Sequence, residues 1–218
     1  MERIICLIIG YLVGAVLQTG YWYGKLNHVD IREFGSGNAG TTNVARKFGK
    51  KAGAVTYIVD AFKAVIAAVI VHFIFGNKAD NEILLFLYSG LGIVLGHNFP
   101  FYLNFKGGKG IAATSGVVIS LALFPTNLWI LTVAGVLTFL IIVFTTKYVS
   151  LGSLIAVSAF FIEFVIFGFA GWLPVTGRVM YECFAVIFVI VVLAFVRHRG
   201  NISRLIHGTE RKIGQKKA

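Results

Sequence analysis

The stretch 127-NLWILTVAGVLTFLIIVFTT-146 holds twenty residues and no charged side chain. A helix of about 20 apolar residues can cross the hydrocarbon core of a bilayer, which is roughly 30 Å thick. The residues do not alternate between apolar and polar, as the strands of a membrane barrel do. The stretch therefore predicts a transmembrane helix, and similar stretches recur along the chain.

The composition of the whole chain favours an integral membrane protein. Of its 218 residues 57% are apolar and 13% charged, against about 45–50% and about 25% in soluble domains. We predict an all-α integral membrane protein with seven transmembrane helices in one domain, residues 1–218. The first apolar stretch is too long for the core of a signal peptide, and the fourth is short for a crossing. The predicted spans lie near 4–24, 53–75, 83–104, 110–124, 127–146, 149–170 and 181–196.

The basic residues predict the orientation. With seven crossings, sixteen Lys and Arg residues fall on one side, including Lys216 and Lys217, and three fall on the other: Arg3, Lys78 and Arg178. By the positive-inside rule the first side is cytoplasmic, so the N-terminus is outside and the C-terminus inside. The net charge of +11 then reflects topology and contact with anionic lipids, and it is no sign of nucleic-acid binding.

Three polar stretches punctuate the apolar ones, and this topology places all three at the cytoplasmic face. The first is 35-GSGNAGTTNVAR-46. It lacks the strand that a dinucleotide-binding fingerprint needs, and it has Thr41 where a Walker A motif has Lys. Glycines allow backbone N–H groups to converge on an anion, and Arg46 adds a guanidinium. An anion site and a flexible capping loop both remain open. The candidate ligands are Gly35, Ser36, Gly37, Asn38, Gly40, Thr41, Thr42, Asn43 and Arg46.

The second stretch is 96-GHNFPFYLNFKGGKGIAAT-114. Glycines around a lysine directly before a helix suit phosphate binding at the helix N-terminus, and a tight turn with two topological lysines is the alternative. His97 is predicted as a hydrogen-bonded core residue, and Pro100 as a kink in the third span. The candidate ligands are His97, Lys106, Gly107, Gly108, Lys109 and Gly110.

The third stretch, 197-RHRGNISRLIHGTER-211, follows the last span. On a helix, His198, Asn201 and Arg204 lie at steps of three along one face. That face would offer an acid or base, an amide and a guanidinium. A basic amphipathic tail on the membrane is the alternative interpretation.

Asp60, Lys63 and Glu163 are ionisable residues that lie well inside the predicted spans. Charged groups in hydrocarbon are costly and normally pair or face a cavity. Asp60 and Lys63 are spaced for an i, i+3 ion pair, whereas Glu163 lacks a local partner. For Glu163, protonation, pairing with Lys63 and pairing with a hydroxyl all stay open. Cys6 and Cys183 lack metal-ligand spacing, so they are predicted to be inert packing residues.

The three polar stretches together resemble the signature motifs of the bacterial membrane acyltransferases that use acyl phosphate as donor and glycerol 3-phosphate as acceptor. The resemblance covers nearly the whole chain. No serine-hydrolase elbow or H-x-x-x-x-D acyltransferase box is present in the sequence. The resemblance implies acyl transfer to the 1-hydroxyl of glycerol 3-phosphate, giving lysophosphatidic acid and inorganic phosphate at the cytoplasmic face of the bacterial inner membrane. It implies no metal, no cofactor and no acyl-CoA.

On this resemblance, Ser36, Asn38 and the backbone of 35–40 are expected to hold the donor phosphate, together with Asn201. Arg46 and Lys109, with Lys106 and Arg204, are expected to hold the acceptor phosphate, and His198 to orient or polarise a substrate. Membrane lipids and a soluble enzyme that makes acyl phosphate are the candidate partners. A transporter of a phosphorylated metabolite that uses Asp60, Lys63 and Glu163 is the alternative function, and a structural membrane protein is a third.

Overall fold

The computed structural model describes residues 1–76, 81–123 and 128–215, and the regular structure in these ranges is entirely helical. Lys78, Lys216 and Lys217, which entered the predicted charge asymmetry, lie outside the described residues. Two short 3₁₀ turns, Ile31–Glu33 and Phe101–Leu103, accompany the α-helices. The α-helices are α1 (Glu2–Val16), α2 (Thr19–Leu26), α3 (Thr41–Phe48), α4 (Lys50–Phe75), α5 (Glu82–Asn98), α6 (Ile111–Leu123), α7 (Trp129–Thr146), α8 (Val149–Phe169), α9 (Gly177–Arg197) and α10 (Arg199–Ile206).

Six segments in the described ranges are long and apolar enough to cross a membrane, and each matches a predicted span within a few residues. The predicted span 110–124 corresponds to α6, which has 13 residues. At 1.5 Å per residue α6 is about 20 Å long, shorter than the hydrocarbon core. The protein is thus an integral membrane protein with several apolar helices. A crossing by α6, which would bring the number of crossings to seven, stays a prediction.

Two predicted helices differ in their course. The first span is interrupted at Leu17 and Gln18, where α1 ends and α2 begins. Pro100 was predicted to kink the third span, and this was wrong: α5 ends at Asn98, before the proline. A proline disfavours the helical conformation of the residue before it. Phe99 is accordingly non-helical, and α5 ends here instead of continuing as a kinked helix.

Packing divides the chain into two compact units, Met1–Asn127 and Leu128–Ala218. In the first unit α1 packs on α5, and α4 packs on α3, α5 and α6. The span Glu82–Leu103, which contains α5, is the most enclosed of the six, and 13 of the 17 residues of α5 are buried. A Cβ at any of four glycines between α1 and α5 would collide with the backbone of the other helix. Small residues of this kind allow membrane helices to approach closely. They are Gly10, Gly14, Gly92 and Gly96.

The second unit contains α7 to α10. The helix α8 packs on α7 and α9, and α10 contacts both α8 and α9. Only 11% of α7 is buried, so most of its apolar surface is available to lipid. The single domain predicted for residues 1–218 stays a prediction, and the two units are described separately below.

Candidate functional site

The first polar stretch forms a loop organised by one buried amide. The Asn43 side chain, 2% exposed, donates from Nδ2 to the carbonyls of Ile31 (2.9 Å), Phe34 (2.8 Å) and Asn38 (3.0 Å). Its Oδ1 accepts the Ser36 N–H at 3.1 Å. Asn43 was predicted as a substrate ligand, and the structure shows it bound to the loop itself.

The rest of this loop leaves polar groups at the surface. Gly35 and Gly37 have positive φ angles of 59° and 71°, and a Cβ at Gly35 would collide with Asn43 Oδ1. Ser36 is exposed, and Asn38 Nδ2 donates to its carbonyl at 2.9 Å. The loop enters α3 at Thr41, whose buried Oγ1 has no hydrogen-bond partner among the described residues. The first turn of α3 thus combines helix N–H groups with the Thr41 hydroxyl, which has no partner among the described residues.

A hydrogen bond from Arg32, which lies just before this loop, reaches the second polar stretch. Arg32 contacts Asp30 at 2.7 Å and donates from Nη1 to the Leu103 carbonyl at 3.2 Å. The hydrogen bond from Arg32 lowers the pKa of Asp30 to about 2, against the opposing effect of burial. The two stretches are therefore neighbours in the first unit.

The second polar stretch turns back on the end of α5 before α6 begins. The Gly107 N–H donates to the Asn98 carbonyl and the Gly108 N–H to the His97 carbonyl, both at 3.1 Å. Gly110 has a φ of 84°, and a Cβ there would lie 2.8 Å from Asn98 Oδ1. We refer to residues 107–110 as the glycine loop. Lys109 lies in this loop and is partly buried, whereas Lys106 is exposed.

Asn98 is a residue that the sequence analysis did not select. Its side chain is 0% exposed, and neither Oδ1 nor Nδ2 has a hydrogen-bond partner among the described residues. Burying an unpaired amide costs free energy, so such a group needs an explanation. It stands beside Gly110 at the start of α6, where helix N–H groups also favour an anion.

A buried polar cluster lies behind the glycine loop, and we call Asp60, Lys63 and His97 the buried triad. Lys63 Nζ contacts Asp60 Oδ1 at 3.2 Å and His97 Nδ1 at 2.7 Å. Thr19 Oγ1 also donates to Asp60 Oδ1, at 3.1 Å. The predicted Asp60–Lys63 pair and the predicted core role of His97 are both confirmed.

The third polar stretch belongs to the second unit. His198 lies between α9 and α10, is 3% exposed, and contacts the Ala194 carbonyl through Nδ1 at 2.8 Å. A carbonyl can only accept, so Nδ1 carries a proton in this contact.

Asn201 and Arg204 share one face, as predicted, and both contact a carboxylate that the sequence analysis did not select. Asn201 Nδ2 donates to Glu210 Oε1 at 2.7 Å, and Arg204 Nε donates to Glu210 Oε2 at 2.7 Å. Ser150 Oγ on α8 adds a third bond at 3.0 Å. Burial alone would raise the pKa of Glu210, but these three hydrogen bonds outweigh it and hold the pKa below its usual value.

The third ionisable residue that the sequence analysis selected within the spans, Glu163, is on α8. Its Oε2 is buried and has no hydrogen-bond partner among the described residues. Cys6 and Cys183 are both buried free thiols, as their predicted packing role requires. The structure thus brings the first two polar stretches together in one unit. The common face predicted for all three stretches stays a prediction.

The chain is similar over nearly its whole length to known proteins. A family model described as "Glycerol-3-phosphate acyltransferase" matches residues 4–208. The glycerol-3-phosphate acyltransferase of Thermoanaerobacter sp. (strain X514) is 37% identical over 216 residues, covering 99% of this chain and 98% of the relative. That of Clostridioides difficile (strain 630) is 38% identical over 217 residues, covering 98% and 97%.

Two crystal structures of PlsY (YgiH), an integral membrane glycerol 3-phosphate acyltransferase, are also similar. The glycerol 3-phosphate form has a TM-score of 0.80 and 34% identity, and the lysophosphatidic acid form 0.78 and 33%. Each comparison covers 98% of this chain and 96% of the solved chain.

Proposed function

Because the chain belongs to the glycerol-3-phosphate acyltransferase family, we propose that it moves a fatty acyl group from acyl phosphate to the 1-hydroxyl of glycerol 3-phosphate. The products are lysophosphatidic acid and inorganic phosphate. Solved relatives hold glycerol 3-phosphate in one form and lysophosphatidic acid in the other, which supports this acceptor and this product. Acyl phosphate as the donor rests on the three polar stretches.

The observation that carries the proposal is the arrangement of residues at the start of α6. The glycine loop contains Lys109, leads into the N-terminal turn of α6, and lies beside the buried Asn98 amide. A helix N-terminus with a nearby cation is suited to a phosphate group. We assign the phosphate of glycerol 3-phosphate to this site, with Lys109, Lys106 and Arg46 as its cations.

The donor phosphate is assigned to the first polar stretch. Ser36 and Asn38 lie on the glycine-containing loop, and the first turn of α3 follows with Thr41 and Thr42. From the second unit we assign Asn201 to the donor phosphate and Arg204 to the acceptor phosphate, each acting in addition to its bond with Glu210. These assignments rest on the resemblance of the three polar stretches to the family's motifs.

The proposed reaction requires no acyl-enzyme intermediate. The 1-hydroxyl oxygen attacks the acyl carbonyl carbon, and the bond from that carbon to the phosphate oxygen breaks. Inorganic phosphate leaves, and a phosphate oxygen of the donor takes the hydroxyl proton. Acyl phosphate is a mixed anhydride with a good leaving group, so the protein contributes chiefly positioning and charge stabilisation.

His198 is proposed to orient or polarise a substrate through Nε2. If it acts as a general base, His198→Ala will lose activity and flatten the pH–rate profile near neutrality. If it acts only by positioning, activity will fall while the profile keeps its shape.

The proposed setting is a bacterial inner membrane with the three polar stretches on the cytoplasmic side. The proposed topology has seven crossings, with α6 as the fourth, and the excess of basic residues on one side supports it. A soluble enzyme that makes acyl phosphate is the proposed cytoplasmic partner. In a background without Cys6 and Cys183, Lys50→Cys should react with a membrane-impermeant thiol reagent only from inside, and Arg178→Cys only from outside.

The deciding experiment uses purified protein in lipidic mesophase with palmitoyl phosphate and glycerol 3-phosphate. We expect phosphate release that depends on the acceptor, formation of lysophosphatidic acid, and no reaction with palmitoyl-CoA. Ser36→Ala and Arg46→Ala should each lose activity, whereas Lys50→Ala, an exposed cation next to α3, should not. Absence of phosphate release from folded protein would overturn the proposal and favour transport of a phosphorylated metabolite.

A further inference from the structure

Lys63 lies in a membrane span, yet its side chain has a complete set of hydrogen-bond acceptors. The residue is fully buried. Its Nζ contacts the carbonyls of Leu17 at 3.0 Å and Gly14 at 3.4 Å, in addition to Asp60 and His97. A charged group in hydrocarbon costs at least about 2.5 kcal/mol, so this arrangement needs a reason beyond the ion pair itself.

The interruption between α1 and α2 supplies these acceptors. The Gln18 N–H donates to the Val16 carbonyl and not to Gly14, which leaves the Gly14 carbonyl outside the helical pattern. The Gln18 side chain, also fully buried, donates to Gly14 at 3.1 Å, to His97 at 3.1 Å and to Gly96 at 3.3 Å, each through the carbonyl. Hydrogen bonds therefore join the interruption both to Lys63 on α4 and to the carbonyls of Gly96 and His97 on α5.

The contact with Lys63 determines which nitrogen of His97 carries a proton. An ammonium group has three protons and no lone pair. In the ion pair with Asp60, Lys63 can only donate to His97 Nδ1, so the ring proton is on Nε2. A metal-bound histidine is oriented in the same indirect way, by the partner of its second nitrogen.

The other side of His97 holds the glycine loop. Nε2 lies against Gly108, where a Cβ would collide with it, and the His97 carbonyl accepts the Gly108 N–H at 3.1 Å. Ring and backbone of one residue thus support the segment that carries Lys109. A rotation of the imidazole would displace Gly108, because the ring and the loop are in contact.

We propose that Lys63, paired with Asp60, is a positioning residue that acts through His97 to hold the glycine loop in its geometry for binding the phosphate of glycerol 3-phosphate. This inference rests on the proposed function and adds a residue that touches neither substrate. It assigns a purpose to a buried charge that the reaction does not use.

The first test measures the His97 ring without any assay of activity. Solid-state NMR of protein with ¹⁵N-labelled histidine distinguishes protonated from unprotonated ring nitrogens, and the His97→Asn spectrum identifies the His97 signals. We expect unprotonated Nδ1 and protonated Nε2 in the unaltered protein, and a change of this pattern in Lys63→Met. A proton on Nδ1 of His97 in the unaltered protein would overturn the proposal, even if Lys63→Met does not fold.

The second test separates binding of the two substrates. Lys63→Met should raise the KM for glycerol 3-phosphate about 10- to 100-fold, as for other residues that orient a ligand indirectly, and leave the KM for acyl phosphate within about threefold. Ser120→Ala is the matched control. Its hydroxyl is buried and bonded to Gly116 within α6, and its KM values should not change. An equal rise of both KM values in Lys63→Met would mean a general structural role and overturn the proposal.

A double-mutant cycle tests whether Lys63 acts through His97. Lys63→Met and His97→Asn should not add, so the double variant should have a KM for glycerol 3-phosphate within about threefold of the worse single variant. Full additivity would overturn the pathway through His97. If the unaltered protein releases no phosphate, the proposed function fails, and the NMR measurement still decides the state of the triad.

Discussion

Asp60 lies within a membrane span and Glu210 in the segment after the last one, yet both carboxylates are almost completely buried. Asp60 forms its ion pair with Lys63, three residues away on the same helix, while Glu210 binds Arg204, Asn201 and the distant Ser150. Asp60 Oδ2 has no hydrogen-bond partner in the described ranges, whereas both oxygens of Glu210 are bonded.

The difference separates two uses of a buried carboxylate. At Asp60 the helix itself brings the two charges together, and the pair then orients groups on other helices. At Glu210 the chain has to fold back so that one carboxylate can join α8 to α10. Removing the charge of Asp60 should therefore disturb all the helices around it, whereas removing the charge of Glu210 should disturb only the contact between α8 and α10.

The largest effect is expected for Asp60→Asn. The substitution leaves the Lys63 ammonium buried without its anion, which typically costs about 3–5 kcal/mol in the free energy of unfolding. Equilibrium unfolding in detergent would measure the loss. The double variant Asp60→Asn/Lys63→Met should be more stable than Asp60→Asn alone, because no isolated charge remains. A single variant within about 1 kcal/mol of the unaltered protein would contradict the ion pair.

A smaller and local effect is expected for Glu210→Gln. Hydrogen bonds to a charged group contribute about 1.5–3 kcal/mol, and the half-exposed Arg204 adds little more, so we expect a loss of about 2 kcal/mol. If the loss is local, trypsin should cleave after Arg211 about 30-fold faster, while α4 to α6 keep their protection from hydrogen exchange. Thr209→Ala, at an exposed position one residue away, is the control. If Glu210→Gln lowered hydrogen-exchange protection throughout the protein, the expected difference between Glu210 and Asp60 would be wrong.

The smallest effect is expected for the more exposed carboxylate, Asp30. Its folded-state pKa of about 2 lies below the ordinary value, so the ionised form stabilises the fold above about pH 4, and this contribution is lost as the pH falls towards 2. Arg32 is partly exposed, so solvent screening limits the contribution to about 1 kcal/mol. The difference in unfolding free energy between the unaltered protein and Asp30→Asn should shrink over this range. A constant difference down to pH 2 would contradict the bond with Arg32.

Much of the membrane architecture could be predicted because each span is a local property of the sequence. Six of the seven predicted spans match helical segments that are long and apolar enough to cross a membrane. The three polar stretches indicated the family that the comparisons confirm. The Asp60–Lys63 pair was also predictable, because helix geometry alone places i and i+3 together.

The parts that could not be predicted depend on long-range contacts. Gln18 is a single polar residue in an apolar run, and nothing near it in sequence shows that it binds carbonyls 78 and 79 residues away. Glu210 lies 60 residues from its partner Ser150. Asn43 binds the backbone of its own loop, although the composition of that loop suggested that Asn43 would bind a ligand. A polar residue in a motif is therefore ambiguous until its distant partners are known.

The interruption at Leu17 and Gln18 has a consequence for the order in which the protein is made. The Gly14 and Leu17 carbonyls accept hydrogen bonds from Lys63 on α4, and Gln18 donates to carbonyls at the end of α5. Hydrocarbon offers no substitute for these partners. The N-terminal segment is therefore expected to settle stably in the bilayer only after the ribosome has synthesised residue 97. Chains truncated before and after that residue should differ in their resistance to alkaline extraction, whereas equal resistance would mean that the first span is stable alone.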